Sequence, residues 1–339
     1  MFPFSKWAVS GIMMDTYKKD MPWQTIFLRN KTMNTEQYFK NLCVPSSPVD
    51  VVLDTDTFNE IDDQFAIAYL LAASDRLNLK ALHAAPFYNH HSESPKDGML
   101  KSYEEILRLL TLTNRQEFAP VTYKGSETYL KDEATPVPSD AATNLTELAS
   151  SYCPDHPLYV VAIGAITNVA SALLLKPEIA ENIVIVWLGG HSREYHDTKE
   201  FNLFQDVAAA RVVFKSGAPI VQLPCMGVVS SFSIPFVELV HYLGGKNELC
   251  DFLVGRVRDE ISTYASGLAV SRVLWDVAAV AWLLNENSRF MLSRLDTLPV
   301  PEYDGLYAYD HSRLIRYVYH INRDQLATDL FEKLSGNRI

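Results

Sequence analysis

The sequence predicts an α/β fold, a mostly parallel central sheet flanked by helices. Three observations carry that expectation. Short β-branched and leucine runs at 51–53, 159–163 and 183–188 read as strands buried on both faces. Segments of helical length follow them, the first with Phe65, Ile67, Ala68, Leu70 and Leu71 able to share one broad apolar face. The links between are short, and strands and helices alternating in that way build parallel sheets.

Residues 1–32 show no clear period. They read as a peripheral N-terminal extension, or as an extended start ahead of Met13, Met14 or Met33. Residues 34–39 look like a short capped helix, and Pro45-Ser46-Ser47-Pro48 is a turn that delivers the chain into the first strand. A second strand is expected at 79–85, ending in Phe87-Tyr88-Asn89-His90-His91, and an amphipathic helix at 101–112. A third strand follows at 120–123 and a polar loop at 124–144, a candidate rim. The buried strand at 159–163 turns through Gly164 into a helix at 169–175, closed by Pro177. After the strand at 183–188, Gly189-Gly190 marks a tight backbone approach and 191–202 a polar loop. A helix at 206–214, a strand at 220–223, helices at 235–243, 249–265 and 277–284, a strand at 314–319 and a helix at 324–334 complete the chain.

The chain has 339 residues, nearly half of them apolar, enough for one large α/β domain or two smaller ones. No repeat, low-complexity tract or linker divides it, so a single domain over 33–339 is expected. A net charge of -11 argues against a nucleic-acid partner or an anionic membrane held by bulk electrostatics. Cys43, Cys153, Cys225 and Cys250 are far apart and form no C-x-x-C pair, which indicates neither a disulfide framework nor a zinc site. A reducing cytoplasm is the expected setting. No apolar run is long enough to span a bilayer. The opening residues make a poor signal peptide, because Ser5, Lys6, Ser10 and Gly11 break their apolar part.

Between the first strand and its helix stand Asp54, Asp56, Glu60, Asp62 and Asp63. Ligands of open α/β sheets bind outside the carboxyl ends of the strands, so these acids stand where an active site belongs. Two unit charges about 4 Å apart repel by roughly 4 kcal/mol at an effective dielectric of about 20. Carboxylates converging on one spot therefore need a proton or a cation among them, and oxygen-only donors favour calcium or magnesium. Taken singly, the same acids also read as ordinary: Asp54 beneath the sheet, Asp62 a helix cap, the others solvated in a first helical turn. Asn89 and the pair Glu200 and Asn202 lie at other strand ends. Asp276, ahead of the apolar run 277–281, is either an N-cap or a ligand.

Asp54-Thr55-Asp56-Thr57-Phe58-Asn59-Glu60-Ile61-Asp62-Asp63-Gln64-Phe65-Ala66 resembles the amino-terminal signature of the inosine-uridine-preferring nucleoside hydrolase family, in a longer form. Gly164-Ala165-Ile166-Thr167-Asn168-Val169-Ala170 is similar to its G-P-L-T-N-x-A turn, Leu188-Gly189-Gly190 to its M-G-G, Glu200-Phe201-Asn202 to its E-F-N, and Leu274-Trp275-Asp276-Val277 to its L-H-D-[PV]. These blocks occur in the family's order over roughly 51–284. The resemblance implies the nucleoside hydrolase fold, a Rossmann-like open sheet. It implies a ribonucleoside substrate, hydrolysis of the N-glycosidic bond to ribose and free base, and one tightly held calcium ion (Ca2+). Asp56, Asp63 and Asp276 match the family's carboxylate ligands, and the backbone carbonyl of Ile163 matches a further one. Asp56 also matches the base that deprotonates the calcium-bound water, while Asp62, Asn89, Glu200 and Asn202 match residues that grip the ribose. A homodimer or homotetramer is common among similar proteins.

The chemistry agrees independently. Breaking a glycosidic bond passes through an oxocarbenium-like transition state, and a ring of carboxylates stabilises its charge. A cation that acidifies water and pins sugar hydroxyls aligns nucleophile and anomeric carbon. The sequence departs from the family pattern in three places. Trp275 stands where many members carry a histidine proposed to protonate the leaving base, and reads either as a stacking wall for the base or as a tryptophan packed at a helix start. The loop between Gly190 and Glu200 is shorter, so His196 or Tyr195 would replace an asparagine contact to the sugar. The loop after Val121 carries no histidine, which leaves His90 and His91 as acids by position. Two further readings compete. One is a phosphatase of the haloacid dehalogenase type, whose motif also starts on a strand ending in D-x-D. The other is a non-catalytic or altered-specificity nucleoside-binding homologue that keeps the fold and the calcium.

Overall fold

The computed structural model describes residues 33–263, 267 and 269–336; the extension expected over residues 1–32 lies outside the described residues. Among them, eight strands form one sheet in the order β3-β2-β1-β4-β5-β6-β10-β9. The strands β1 (Val49–Thr55), β2 (Leu77–Ala84), β3 (Thr122–Lys124), β4 (Leu158–Ala162), β5 (Ile183–Leu188), β6 (Ile220–Leu223) and β10 (Tyr307–Ile321) run parallel. Only β9 (Met291–Pro301) is antiparallel, paired with β10.

The buried runs become strands covered on both faces, and their side chains alternate between two cores. In β1, Val51 and Leu53 enter one core and Val52 the other. In β5, Val184, Val186 and Leu188 oppose Ile183, Ile185 and Trp187. The first core is closed by α2 (Asp62–Ala72), α3 (Pro95–Leu112), α8 (Phe236–Leu243), α9 (Glu248–Ile261), α10 (Val277–Trp282) and α11 (Arg323–Ser335). The second is closed by α4 (Asp140–Ala149), α5 (Thr167–Leu175) and α7 (Val207–Lys215). Helix α2 is buried from Asp62 through Leu71, on more than the single face expected, because α10 and α11 cover its outer side.

Strand β1 lies between β2 and β4. The chain leaves β1 toward one edge of the sheet and later returns to its other side, so a crevice opens at the carboxyl ends of β1 and β4. Gly164 follows β4 there. A Cβ at this position would stand 3.1 Å from the Asp56 carboxyl carbon, so glycine gives Asp56 its room.

Several boundaries differ from expectation. Helix α3 starts at Pro95, because Ser94 accepts a hydrogen bond from the Asp97 N–H at 3.1 Å and proline suits a first helical turn. The expected polar loop at 124–144 includes the start of α4, capped by Ser139. The expected strand at 120–123 begins as a 3-10 turn and narrows to β3. Strand β9 has no clear alternation, and its Pro299 and Pro301 are tolerated because it is an edge strand. A small antiparallel pair, β7 (Ser233–Pro235) and β8 (Ser271–Val273), was not expected. Among the described residues, no helix is long and apolar enough to cross a membrane.

Candidate active site

The acidic stretch bridges β1 and α2 at the crevice. Asp56 leaves the end of β1, and its carbonyl accepts the Asn59 N–H at 2.7 Å, which closes the turn. Asp62 and Asp63 open α2. Thr55 donates its hydroxyl to Asp63 Oδ1 at 2.5 Å and fixes that carboxylate. Asp276 arrives from the far end of the chain, between β8 and α10. It occupies the N-cap position of α10, yet its side chain makes no capping hydrogen bond. It turns toward the acids instead. Carboxylate oxygens from Asp62, Asp63 and Asp276 lie within 4.8 Å of one another, and all three residues are buried.

Burial alone raises the pKa of each member. The Asp56 carboxyl is pushed well up by burial and then by the charges of Asp63, Asp62 and Glu60. Asp276 is raised by burial and by Asp63, Asp62 and Asp56. Asp62 is raised by burial and Glu60, against the opposing pull of Arg272. Burial raises Asp63 to about 6, with the Thr55 hydroxyl offsetting part of that rise. Both oxygens of Asp56 and Oδ1 of Asp62 are buried without a hydrogen-bond partner. Buried unpaired carboxylate oxygens are costly, and a set of purely oxygen donors facing one point suits a hard divalent cation. The donor set therefore fits a metal site.

These acids line one wall of a cleft of about 190 Å³. At about 30 Å³ per water, that is more room than an ion alone fills. Asn59, Glu60, Ile163, Leu188, His191, Glu200, Phe201, Asn202, Cys225, Met226 and Trp275 complete the lining. Glu200 caps α6 (Phe201–Gln205): its carboxylate accepts the N–H groups of Asn202 at 2.9 Å, Leu203 at 3.0 Å and Gly190 at 2.9 Å. Gly190 has a φ of 77°, and a Cβ there would fall 2.0 Å from the Tyr307 hydroxyl, so the tight approach read from Gly189-Gly190 has a steric cause. The Asn202 amide donates to the Leu188 carbonyl at 3.1 Å.

Of the residues singled out in the sequence, Asp56, Asp62, Asp63, Ile163, Glu200, Asn202, Trp275 and Asp276 come together around this cleft. Asn89 stands one step behind it, donating to the lining residue Asn59 at 2.6 Å. His196 is outside the lining; its side chain is 75% exposed, and it stacks on Tyr195. His191 occupies the wall instead, with Nδ1 accepting the Met226 N–H at 3.4 Å. Its position directly after the glycine pair was the available signal. Cys225 and Met226, which follow β6, carry no motif that marks them as cleft residues.

Beneath the cleft, Asp54 accepts a hydrogen bond from the Asn168 amide at 2.8 Å, and Asn168 accepts the Ser126 N–H at 2.7 Å. Burial raises the Asp54 pKa to about 7 and lowers that of His83 to about 4. The 3.9 Å approach of His83 to Asp54 is thus no ion pair at neutral pH.

A profile of the family described as inosine-uridine preferring nucleoside hydrolase matches residues 51–313. The pyrimidine-specific ribonucleoside hydrolase RihA of Escherichia coli O81 is 29% identical, over 69% of this chain and 79% of its own length. Among solved structures, a plant nucleoside hydrolase superposes with a TM-score of 0.67 at 20% identity, covering 85% of this chain and 99% of its own. A purine-preferring ribonucleoside hydrolase from Gardnerella vaginalis superposes with a TM-score of 0.65 at 21% identity, covering 85% and 98%.

Proposed function

The chain belongs to the inosine-uridine preferring nucleoside hydrolase family, a family of N-glycosyl hydrolases, and from that premise we propose that it cleaves ribonucleosides to ribose and free base with the aid of one calcium ion. The observation that carries the reading is the convergence of Asp62, Asp63 and Asp276 beside an Asp56 with two unpartnered buried oxygens. In this proposal Asp56, Asp63 and Asp276, with the backbone carbonyl of Ile163, hold the ion. Calcium bound there supplies Lewis acidity that makes water easier to deprotonate and pins sugar hydroxyls.

Asp56 takes the proton from the attacking water. The water oxygen forms its bond to the anomeric carbon as the bond to the base nitrogen breaks, and the electron pair of that bond leaves with the base. The neighbouring carboxylates stabilise the positive charge that develops on the sugar. Asp62, Glu200 and Asn202 grip the ribose, and Asn89 acts through Asn59. Glu200 already accepts three N–H groups, so at most one of its roughly four acceptor sites is left for a hydroxyl. His191, rather than His196, supplies the sugar contact of the shortened loop. Trp275 is the base-side wall.

The test is ribose release from uridine, cytidine, inosine and adenosine, each with and without chelator. Chelator-sensitive ribose from at least one nucleoside is expected. Nucleoside binding without turnover would favour the non-catalytic reading, which rests on Trp275 in place of a histidine. The phosphatase reading loses its footing with the family match, and phosphate release from ribose 5-phosphate is not expected. Cys43, Cys153, Cys225 and Cys250 are all unpaired, which supports a reducing cytoplasm as the setting. We infer a homodimer or homotetramer, to be checked by light scattering.

A further inference from the structure

Arg272 is not part of the cleft lining, yet its guanidinium reaches the acidic stretch. It sits on β8, where Ile234 of β7 fixes its backbone register. Its side chain is 13% exposed and reaches three carboxylates from two other elements. One nitrogen, Nη2, contacts Glu60 of the β1–α2 turn and lies 3.6 Å from Asp62 Oδ1. The other, Nη1, pairs with Glu260 at the end of α9 at 2.7 Å. Four residues after Arg272, just past the end of β8, the chain delivers Asp276. One guanidinium thus ties the turn that carries Asp62 and Asp63 to the segment that carries Asp276, with Glu260 anchoring its far side.

We propose that Arg272 is a positioning residue: its planar fork holds the β1–α2 turn against β8, so that Asp62, Asp63 and Asp276 face one point before any cation arrives. This rests on the calcium reading of the site. Lysine cannot reproduce the arrangement, because a single ammonium has no rigid fork to bridge carboxylates on two sides. The geometry makes a prediction opposite in sign to plain electrostatics. Deleting a positive charge beside a cluster of acids should, by charge alone, tighten cation binding. If Arg272 assembles the cluster, deletion loosens it. Partners behind a ligand set typically matter by roughly 10- to 100-fold in metal affinity.

The experiment is calorimetric titration of calcium chloride into chelator-stripped full-length protein, with circular dichroism to verify folding. R272M should raise the calcium Kd by roughly 10-fold or more, and R272K should fall between R272M and the wild type. R272K keeps the charge beside Asp62 but lacks the fork, so charge alone predicts unchanged binding where the proposal predicts weaker binding, and it carries the test should R272M fail to fold. Binding in R272M or R272K that equals or exceeds the wild type overturns the proposal. A wild-type protein that takes up no calcium instead overturns the calcium reading, and the two failures are distinguishable in one data set.

Discussion

In the proposed mechanism, Asp56 is the residue on which the chemistry turns. It is buried, both its oxygens lack partners, and the acids around it raise its pKa. Replacing it by alanine should lower kcat by about 10²- to 10⁴-fold, the range ordinary for a lost general base. Calcium affinity should fall with it, because the same side chain serves both roles. A D56A protein with near-normal turnover on the best nucleoside would remove Asp56 from the mechanism. Trp275 is half-buried on the cleft wall. If it stacks on the leaving base, W275A should lower kcat/KM by roughly 5- to 100-fold, since base–aromatic stacking contributes about 1–3 kcal/mol. Unchanged kcat/KM across the nucleoside panel would return Trp275 to a packing role.

At the scale of elements, the far wall depends on how α6 begins. Glu200 Oε2 accepts both Gly190 and Leu203, while Oε1 accepts Asn202. Glutamine keeps the size but turns an amide group toward one of these donors. E200Q should therefore destabilise the fold by about 1–3 kcal/mol, the cost of an unmet buried donor, and raise KM. Urea unfolding followed by circular dichroism measures the first effect, and an unchanged midpoint would contradict it. Much of this level was legible in the sequence. The strand-end turn, the glycine pair and the Glu200-Phe201-Asn202 triplet all sit where their spacing placed them. The β7–β8 pair was not, because three-residue strands offer too little alternation to stand out from loop. Asp276 was ambiguous for a related reason: its N-cap position is a backbone property, whereas the direction of its side chain is set by acids more than two hundred positions away.

For the whole molecule, burying so many acids makes stability depend on pH and, under the proposed function, on the cation. Asp63 titrates in the folded state at about 6 and Asp54 at about 7, against an ordinary 3.8. Between those values the folded chain binds more protons than the unfolded one. Stability of the metal-free protein should then fall as pH rises from about 4 to 7. A cation held by Asp63 requires that carboxylate deprotonated, so its affinity should climb as pH rises through about 6. The expected result is a Tm gap between calcium-loaded and chelated protein that widens as pH rises through about 6. A gap that stays constant or narrows would argue that the acids do not share an ion.

The sequence by itself determined the class of fold, because strands buried on both faces leave near-continuous apolar runs, and their alternation with helices points to a parallel sheet. It also located most of the cleft residues, since acids and amides crowded at strand ends are chemically costly and therefore conspicuous. Only the tertiary structure decided how they combine. That Asp276 points into the cluster rather than onto its own helix, that His191 and not His196 reaches the wall, and that Arg272 spans the turn and Glu260 are all consequences of side-chain direction. Direction comes from the packing of distant segments against one another, and no local pattern records it.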